Sequence, residues 1–152
     1  TSLAAEAEAA AAAGAAFAVI TGGEPLHHDL GPLCSALAST GLALHLETSG
    51  VDPLSGQFAW ITLSPKLHRP PTPELLAACD ELKVVIQGAD DLAFAEQMAA
   101  AAIEARTDDR TPVLLLQPGW GSAEGQQRAV AFVQAHPNWR LSLQTHKLLG
   151  VR

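Results

Sequence analysis

The amino-acid sequence predicts an α/β fold, a mainly parallel sheet with helices outside it. Short apolar runs alternate with segments of helical periodicity, and alternating β and α units imply parallel strands joined by right-handed crossovers. The 152 residues suffice for one domain with a real core, and 48% hydrophobic content supplies its material. The polar, Gly- and Pro-containing segments fall at the strand exits, the edge on which parallel folds bind ligands.

The chain opens on an Ala-rich stretch, residues 4–16, whose composition suits a helix that loses little side-chain entropy and packs closely on a sheet. Six strand-like runs follow: Phe17–Thr21, Ala43–Glu47, Trp60–Ser64, Leu82–Gln87, Val113–Gln117 and Arg140–Gln144. Between the first two, Leu30, Leu33, Cys34, Leu37 and Ala38 recur at helical spacing. They predict a helix over Leu30–Ser39, ended by Gly41. The Pro-rich connection from Ser64 to Leu82 has room for one short helix near Pro73–Ala78. A long helix over Asp91–Arg106 takes Asp90 or Asp91 as its N-cap and turns Leu92, Ala95, Ala99, Ala102 and Ile103 to one face. The last helix, Ala123–Ala135, follows Ser122 as N-cap and stops before Pro137.

Nine basic against sixteen acidic residues give a net charge of −7, which argues against nucleic acid or an anionic membrane as the main partner. Cys34 and Cys79 stand in no metal-like spacing and fit buried thiols in a reducing cytoplasm. The Ala-rich start carries Glu6 and Glu8 and no basic region, unlike a signal peptide, and Ala9–Ile20 is too short to span a bilayer.

The exits carry the chemistry. Gly22-Gly23-Glu24-Pro25 directly follows the first strand, so backbone groups and a carboxylate meet at one turn that could hold a zwitterion. An ordinary tight turn accounts for these four residues equally well. Glu47 closes the second strand, either as a solvated end or as an acceptor for both hydroxyls of a ribose diol. Ser64-Pro65-Lys66 and Gln117-Pro118-Gly119-Trp120 follow the third and fifth strands, and Gln144-Thr145-His146-Lys147 the last. A lone Lys66 is as consistent with solvent as with a ligand. Gln117 beside Pro118 could simply end its strand. His27 and His28 read as loop residues, His45 as a core or face residue, and His68 and His136 as plain surface residues; none forms a metal triad by spacing. Five polar exits together outline one rim around one pocket.

The segments VITGGEPL, LHLETSGV, WITLSPK, CDELKVVI, LLLQPGW and WRLSLQTHKLLGVR resemble those of the 7-carboxy-7-deazaguanine synthases, within the radical S-adenosylmethionine superfamily. The resemblance runs from about Phe17 to Arg152. GGEP alone marks the wider superfamily; LSPK and SLQTHK point to this member, and another radical enzyme such as an activase leaves SLQTHK unexplained. The resemblance implies a partial (β/α) barrel. It also implies conversion of 6-carboxy-5,6,7,8-tetrahydropterin to 7-carboxy-7-deazaguanine with loss of ammonia, using S-adenosylmethionine, a [4Fe-4S] cluster and Mg2+. By similarity, Gly23 and Glu24 hold the methionine moiety and Glu47 the ribose. Ser64, Pro65, Lys66, Gln117, Pro118, Gly119 and Trp120 line the rest of the cofactor, and Thr21, His146 and Arg152 touch the pterin. A homodimer served by a reductant such as flavodoxin or ferredoxin is the further implication.

One departure is large. The family's three-cysteine cluster loop, which also supplies the magnesium ligand, has no match here, and losing it removes the electron source. With no methionine before Thr1, the expectation is that residues 1–152 form the carboxyl portion of a single radical domain, lacking its cluster-binding segment and inactive alone. A non-catalytic pterin- or nucleoside-binding module is the alternative.

Overall fold

The computed structural model describes residues 2–151. Helix α1 (Leu3–Ala12) leads into β1 (Phe17–Ile20), a 3-10 turn at Pro25–His27 and α2 (Gly31–Leu37), which tightens to a 3-10 turn over Ala38–Thr40. There follow β2 (Ala43–Thr48), β3 (Trp60–Leu63), α3 (Pro73–Ala78), β4 (Glu81–Ile86), α4 (Ala89–Ala105), β5 (Val113–Pro118), α5 (Ala123–Ala135), β6 (Trp139–Leu141) and α6 (Thr145–Leu149). All six strands are parallel and lie in sequence order, β1-β2-β3-β4-β5-β6. A sequential order with crossovers of one hand keeps the connecting helices on one face of the sheet.

Burial agrees with that topology. Leu44, Leu46 and Thr48 on β2, Leu82, Val84 and Ile86 on β4, and Leu114 and Leu116 on β5 are buried on the helix-covered face. They pack in one core with Leu75 and Leu76 of α3, Ala95, Ala99 and Ala102 of α4, and Ala129 of α5. Each fully buried Leu or Ile contributes roughly 1.5–3 kcal/mol, so this single layer is the main source of stability. Gly125 allows the closest helix approach: a Cβ there would lie 2.1 Å from the Ile86 carbonyl oxygen, so only glycine lets α5 start against the end of β4.

The alternate residues, Val19, His45, Glu47, Glu81, Lys83 and Val85, stand on the opposite face and are only partly covered. A parallel sheet is ordinarily apolar on both faces, so charges on this one mark a face built for something other than packing.

The six strands and their parallel pairing match the sequence expectation, as do α3 and α5 with its Ser122 cap. Gly41 caps the second helix region at φ 73°. Five expectations are corrected. α1 rests against α2 and its 3-10 end and buries no residue fully, because its contact stripe is only Ala4, Ala7 and Ala11. α4 begins at Ala89 after Gly88, and Asp91 instead caps from inside, its Oδ2 accepting from the Gln87 and Gly88 amides. On α4 the expected Ala95, Ala99 and Ala102 are in the core and Leu92 packs against it, but Phe94 and Met98 join them while Ile103 is exposed. β6 ends at Leu141, and Gln144 becomes the cap of α6, a helix that the polar run SLQTHK conceals. His136 is also more than a surface residue, since its ring stacks on Phe132 at 3.9 Å and its Nδ1 lies 2.9 Å from the Phe132 carbonyl oxygen.

Candidate functional site

Strand register aligns the polar face. Glu47 on β2 pairs with Thr62 on β3, and Thr62 with Glu81 on β4, so three polar side chains cross the sheet in one row. Thr62 Oγ1 donates to Glu81 Oε1 at 3.2 Å. Two residues further along β4, Lys83 reaches diagonally past β3, and its Nζ donates to Glu47 Oε1 at 3.0 Å. Thr21, at the exit of β1, donates to the other oxygen, Glu47 Oε2, at 3.4 Å. Ser142, just after β6, donates to Gln117 Oε1, also at 3.4 Å.

These groups open on a cleft of about 740 Å³ lined by Thr21, Glu47, Ser64, Lys66, Gln117 and His146, with Glu81, Lys83, Ser142 and Gln144. A recess of about 170 Å³ extends it past Gly23, Thr48 and Ser49. A more apolar recess of about 300 Å³, sharing Gln144 with the cleft, is walled by Pro118, Gly119, Trp120, Leu143 and Leu148. Trp120 is 56% exposed, with Lys147 Nζ 5.3 Å from its ring centre. The combined space has charged groups on its floor and apolar surface at one end.

The GGEP turn works differently from its neighbours. Gly22 and Gly23 have φ of 98° and 59°, and a Cβ on either would meet nothing within 4 Å. Their glycine character answers to backbone conformation, and the space beside them is open. Glu24 is a strut. Its Oε1 accepts from Thr48 Oγ1 at 2.5 Å and the Leu26 amide at 3.3 Å, and its Oε2 from the Ser49 amide at 2.8 Å and from the Ser49 hydroxyl. Burial pushes its pKa upward, but the hydrogen bonds from Ser49, Thr48 and Leu26 outweigh burial and hold the carboxyl below its ordinary value. The carboxylate thereby ties the exit of β1 to the exit of β2.

Lys66 donates to Ser64 Oγ at 3.2 Å. Burial and then the nearby Lys83 charge depress its pKa, against an opposing pull from Glu24. Pro65 is buried and does not line the cleft. Arg152 lies outside the described residues. Lys83, Glu81 and Ser142 also line the cleft, and the exit-based reading missed them. The first two were visible as a period-two alternation of charge in Glu81-Leu82-Lys83-Val84, a pattern that a doubly buried strand does not carry.

Among the described residues no group of three or more His, Cys, Asp or Glu is placed to hold a metal ion. Both cysteines are buried and free, and burial pushes the Cys79 thiol up to about 11. They do not fit a [4Fe-4S] cluster, which needs several converging thiolates.

Among the described residues, six sequential parallel strands with helices on one face and a polar cleft on the other define an open, barrel-like α/β protein. No family model matches the chain. A 7-carboxy-7-deazaguanine synthase of Prochlorococcus marinus is 51% identical over 163 aligned residues, covering 96% of this chain and 72% of the relative. That of Synechocystis is 50% identical over 136 residues, covering 90% and 62%. A crystal structure of QueE from Escherichia coli superposes with a TM-score of 0.72 at 31% identity, covering 85% of this chain and 57% of that one. The chain belongs to the 7-carboxy-7-deazaguanine synthase family, and it spans less than two thirds of the Synechocystis relative and of QueE. Among the described residues no helix is long and apolar enough to cross a membrane.

Proposed function

We propose that this chain carries the cofactor and substrate cleft of an S-adenosylmethionine-dependent radical lyase. The reaction is the conversion of 6-carboxy-5,6,7,8-tetrahydropterin to 7-carboxy-7-deazaguanine with release of ammonia, in deazapurine and queuosine biosynthesis in the cytoplasm. The observation that carries this reading is the convergence of Thr21, Glu47, Ser64, Lys66, Gln117 and His146 from separate strand exits on one cleft.

S-adenosylmethionine supplies a 5′-deoxyadenosyl group as the source of a hydrogen-abstracting radical. The chain's own residues hold it. Gly23, with open space beside its backbone, and Glu24 would hold the methionine amino and carboxylate groups. Glu47 has acceptor directions beyond those used by Lys83 and Thr21, and these suit the ribose hydroxyls. Ser64 and Lys66, with Pro65 behind them, wall the polar end. The recess of Pro118, Gly119 and Trp120, with Gln117 at its entrance, suits the flat adenine ring. Thr21, His146 and Arg152 are left for the pterin.

The cluster ligands, and any magnesium ligand, lie outside residues 2–151 in this reading, and residues 1–152 are the carboxyl portion of a single radical domain. A homodimer and a flavodoxin- or ferredoxin-like reductant complete the proposal.

The test is a chimaera that places the amino-terminal segment of the Prochlorococcus relative before Thr1, reconstituted anaerobically with iron, sulfide, Mg2+ and dithionite. It is expected to form 7-carboxy-7-deazaguanine and 5′-deoxyadenosine by mass spectrometry, whereas the 152-residue chain alone forms neither. A chimaera that assembles its cluster and binds the pterin without turning it over would favour a binding module instead.

A further inference from the structure

Lys83 occupies a position where a central parallel strand ordinarily carries an aliphatic side chain. Its neighbours Leu82 and Val84 are in the core, and its own side chain is only 15% exposed. Moving an ammonium out of water is costly unless it is paired. Among the described residues its partner is Glu47 Oε1, at 3.0 Å across the intervening β3. Glu47 is the more exposed member, its side chain 41% accessible, and its other tie is the long 3.4 Å contact from Thr21. Without Lys83 this carboxylate would be free to rotate into solvent. With it, one oxygen is pinned to the cleft floor and the remaining acceptor directions stay on the cleft side.

We propose that Lys83 is a positioning residue for nucleoside recognition: it orients the Glu47 carboxylate so that a vicinal ribose diol, and not a deoxyribose, finds two acceptors in place. This rests on the reading of Glu47 as the ribose contact. Lys83 itself touches Glu47 and not the ligand. Its loss therefore removes discrimination between diol and deoxy ligands more than it removes binding.

The experiment is calorimetry on the whole 152-residue chain with S-adenosylhomocysteine and its 2′-deoxyribose counterpart, for the wild type, Lys83→Met, Lys83→Arg and Lys83→Met/Glu47→Gln. The wild type is expected to prefer the diol about tenfold, the equivalent of one charge-assisted hydrogen bond. Lys83→Met should lose most of that preference while the deoxy ligand's Kd changes less than about twofold. Lys83→Arg should restore it in part, and the double variant should discriminate no worse than Lys83→Met. A Lys83→Met protein that keeps the tenfold preference, or weakens both ligands equally, overturns the inference. If Lys83→Met fails to fold, undiminished discrimination in Lys83→Arg, whose longer guanidinium displaces the cation, does the same. A wild type that binds both ligands equally, or neither, overturns the Glu47 assignment itself and this inference with it.

Discussion

Replacing Glu24 with alanine separates a strut from a ligand contact. The carboxylate accepts four hydrogen bonds, three of them from Thr48 and Ser49 across the gap between two strand exits. Net hydrogen bonds contribute about 1 kcal/mol each, so those three together approach about 3 kcal/mol. Water can replace the partners of half-buried Ser49. It cannot easily replace that of Thr48, which is 3% exposed, although Thr48 Oγ1 keeps the Gly50 amide as a donor. The expected loss is therefore roughly 2 kcal/mol, or a fall in Tm of about 4–8 °C for a domain of this size. Glu24→Gln should recover no more than half of that, because its amide nitrogen would face another donor. The effect should also depend on pH with a definite sign. The folded pKa lies below the ordinary value of 4.5, so the contribution is complete above that value and lost as pH falls through the folded pKa. Thermal melts of the wild type and Glu24→Ala should differ at pH 7 and converge near the acid end. Identical melting at pH 7, combined with lost cofactor affinity, would refute the strut and return Glu24 to direct contact with the methionine moiety.

Three further outcomes are expected. Glu47→Ala should weaken S-adenosylhomocysteine binding by at least about tenfold by calorimetry, since two charge-assisted hydrogen bonds are lost; an unchanged Kd would make Glu47 a solvated strand end. Gly125→Ala should destabilise the chain by about 1–3 kcal/mol in urea, because its Cβ would meet the Ile86 carbonyl oxygen at 2.1 Å and the backbone has to shift; a wild-type midpoint would show that α5 can slide. Cys79, fully buried with its thiol pushed up to about 11, should resist iodoacetamide at pH 8 in the native chain and react on unfolding; prompt native labelling would mean that α3 and its neighbours open readily.

Much of the fold was legible because its determinants are local. Phe17–Ile20, Ala43–Thr48 and Val113–Pro118 are short apolar runs with polar exits, and Ser122, Thr72 and Gly41 punctuate the helices in the positions their chemistry favours. α6 escaped because Thr145–Leu149 is only five residues long, beneath any periodicity signal, and it depends on the left-handed Gly150 to close it. The rim was legible from the exits, and Thr21, Glu47, Ser64, Lys66 and Gln117 do line one cleft. Its floor was not. The alternation Glu81-Leu82-Lys83-Val84 marks a charged face locally, but the pairing of Lys83 with Glu47 is set by register past β3, across a separation of 36 residues. The engagement of Glu24 with Thr48 and Ser49 is likewise a long-range fact, and it gives the GGEP carboxylate a part in shaping the turn.

The central claim is that the carboxyl edge of the sheet is a nucleoside cofactor site. Its most direct test is an amide and indole chemical-shift titration of the 15N-labelled 152-residue chain with S-adenosylhomocysteine. The account predicts saturable shifts at Thr21, Gly23, Glu47, Ser64, Lys66 and Gln117 and at the Trp120 indole, all around the cleft and its recesses. Shifts confined to the groove of Leu92, Arg128 and Phe132 between α4 and α5, or none at millimolar ligand, would contradict it.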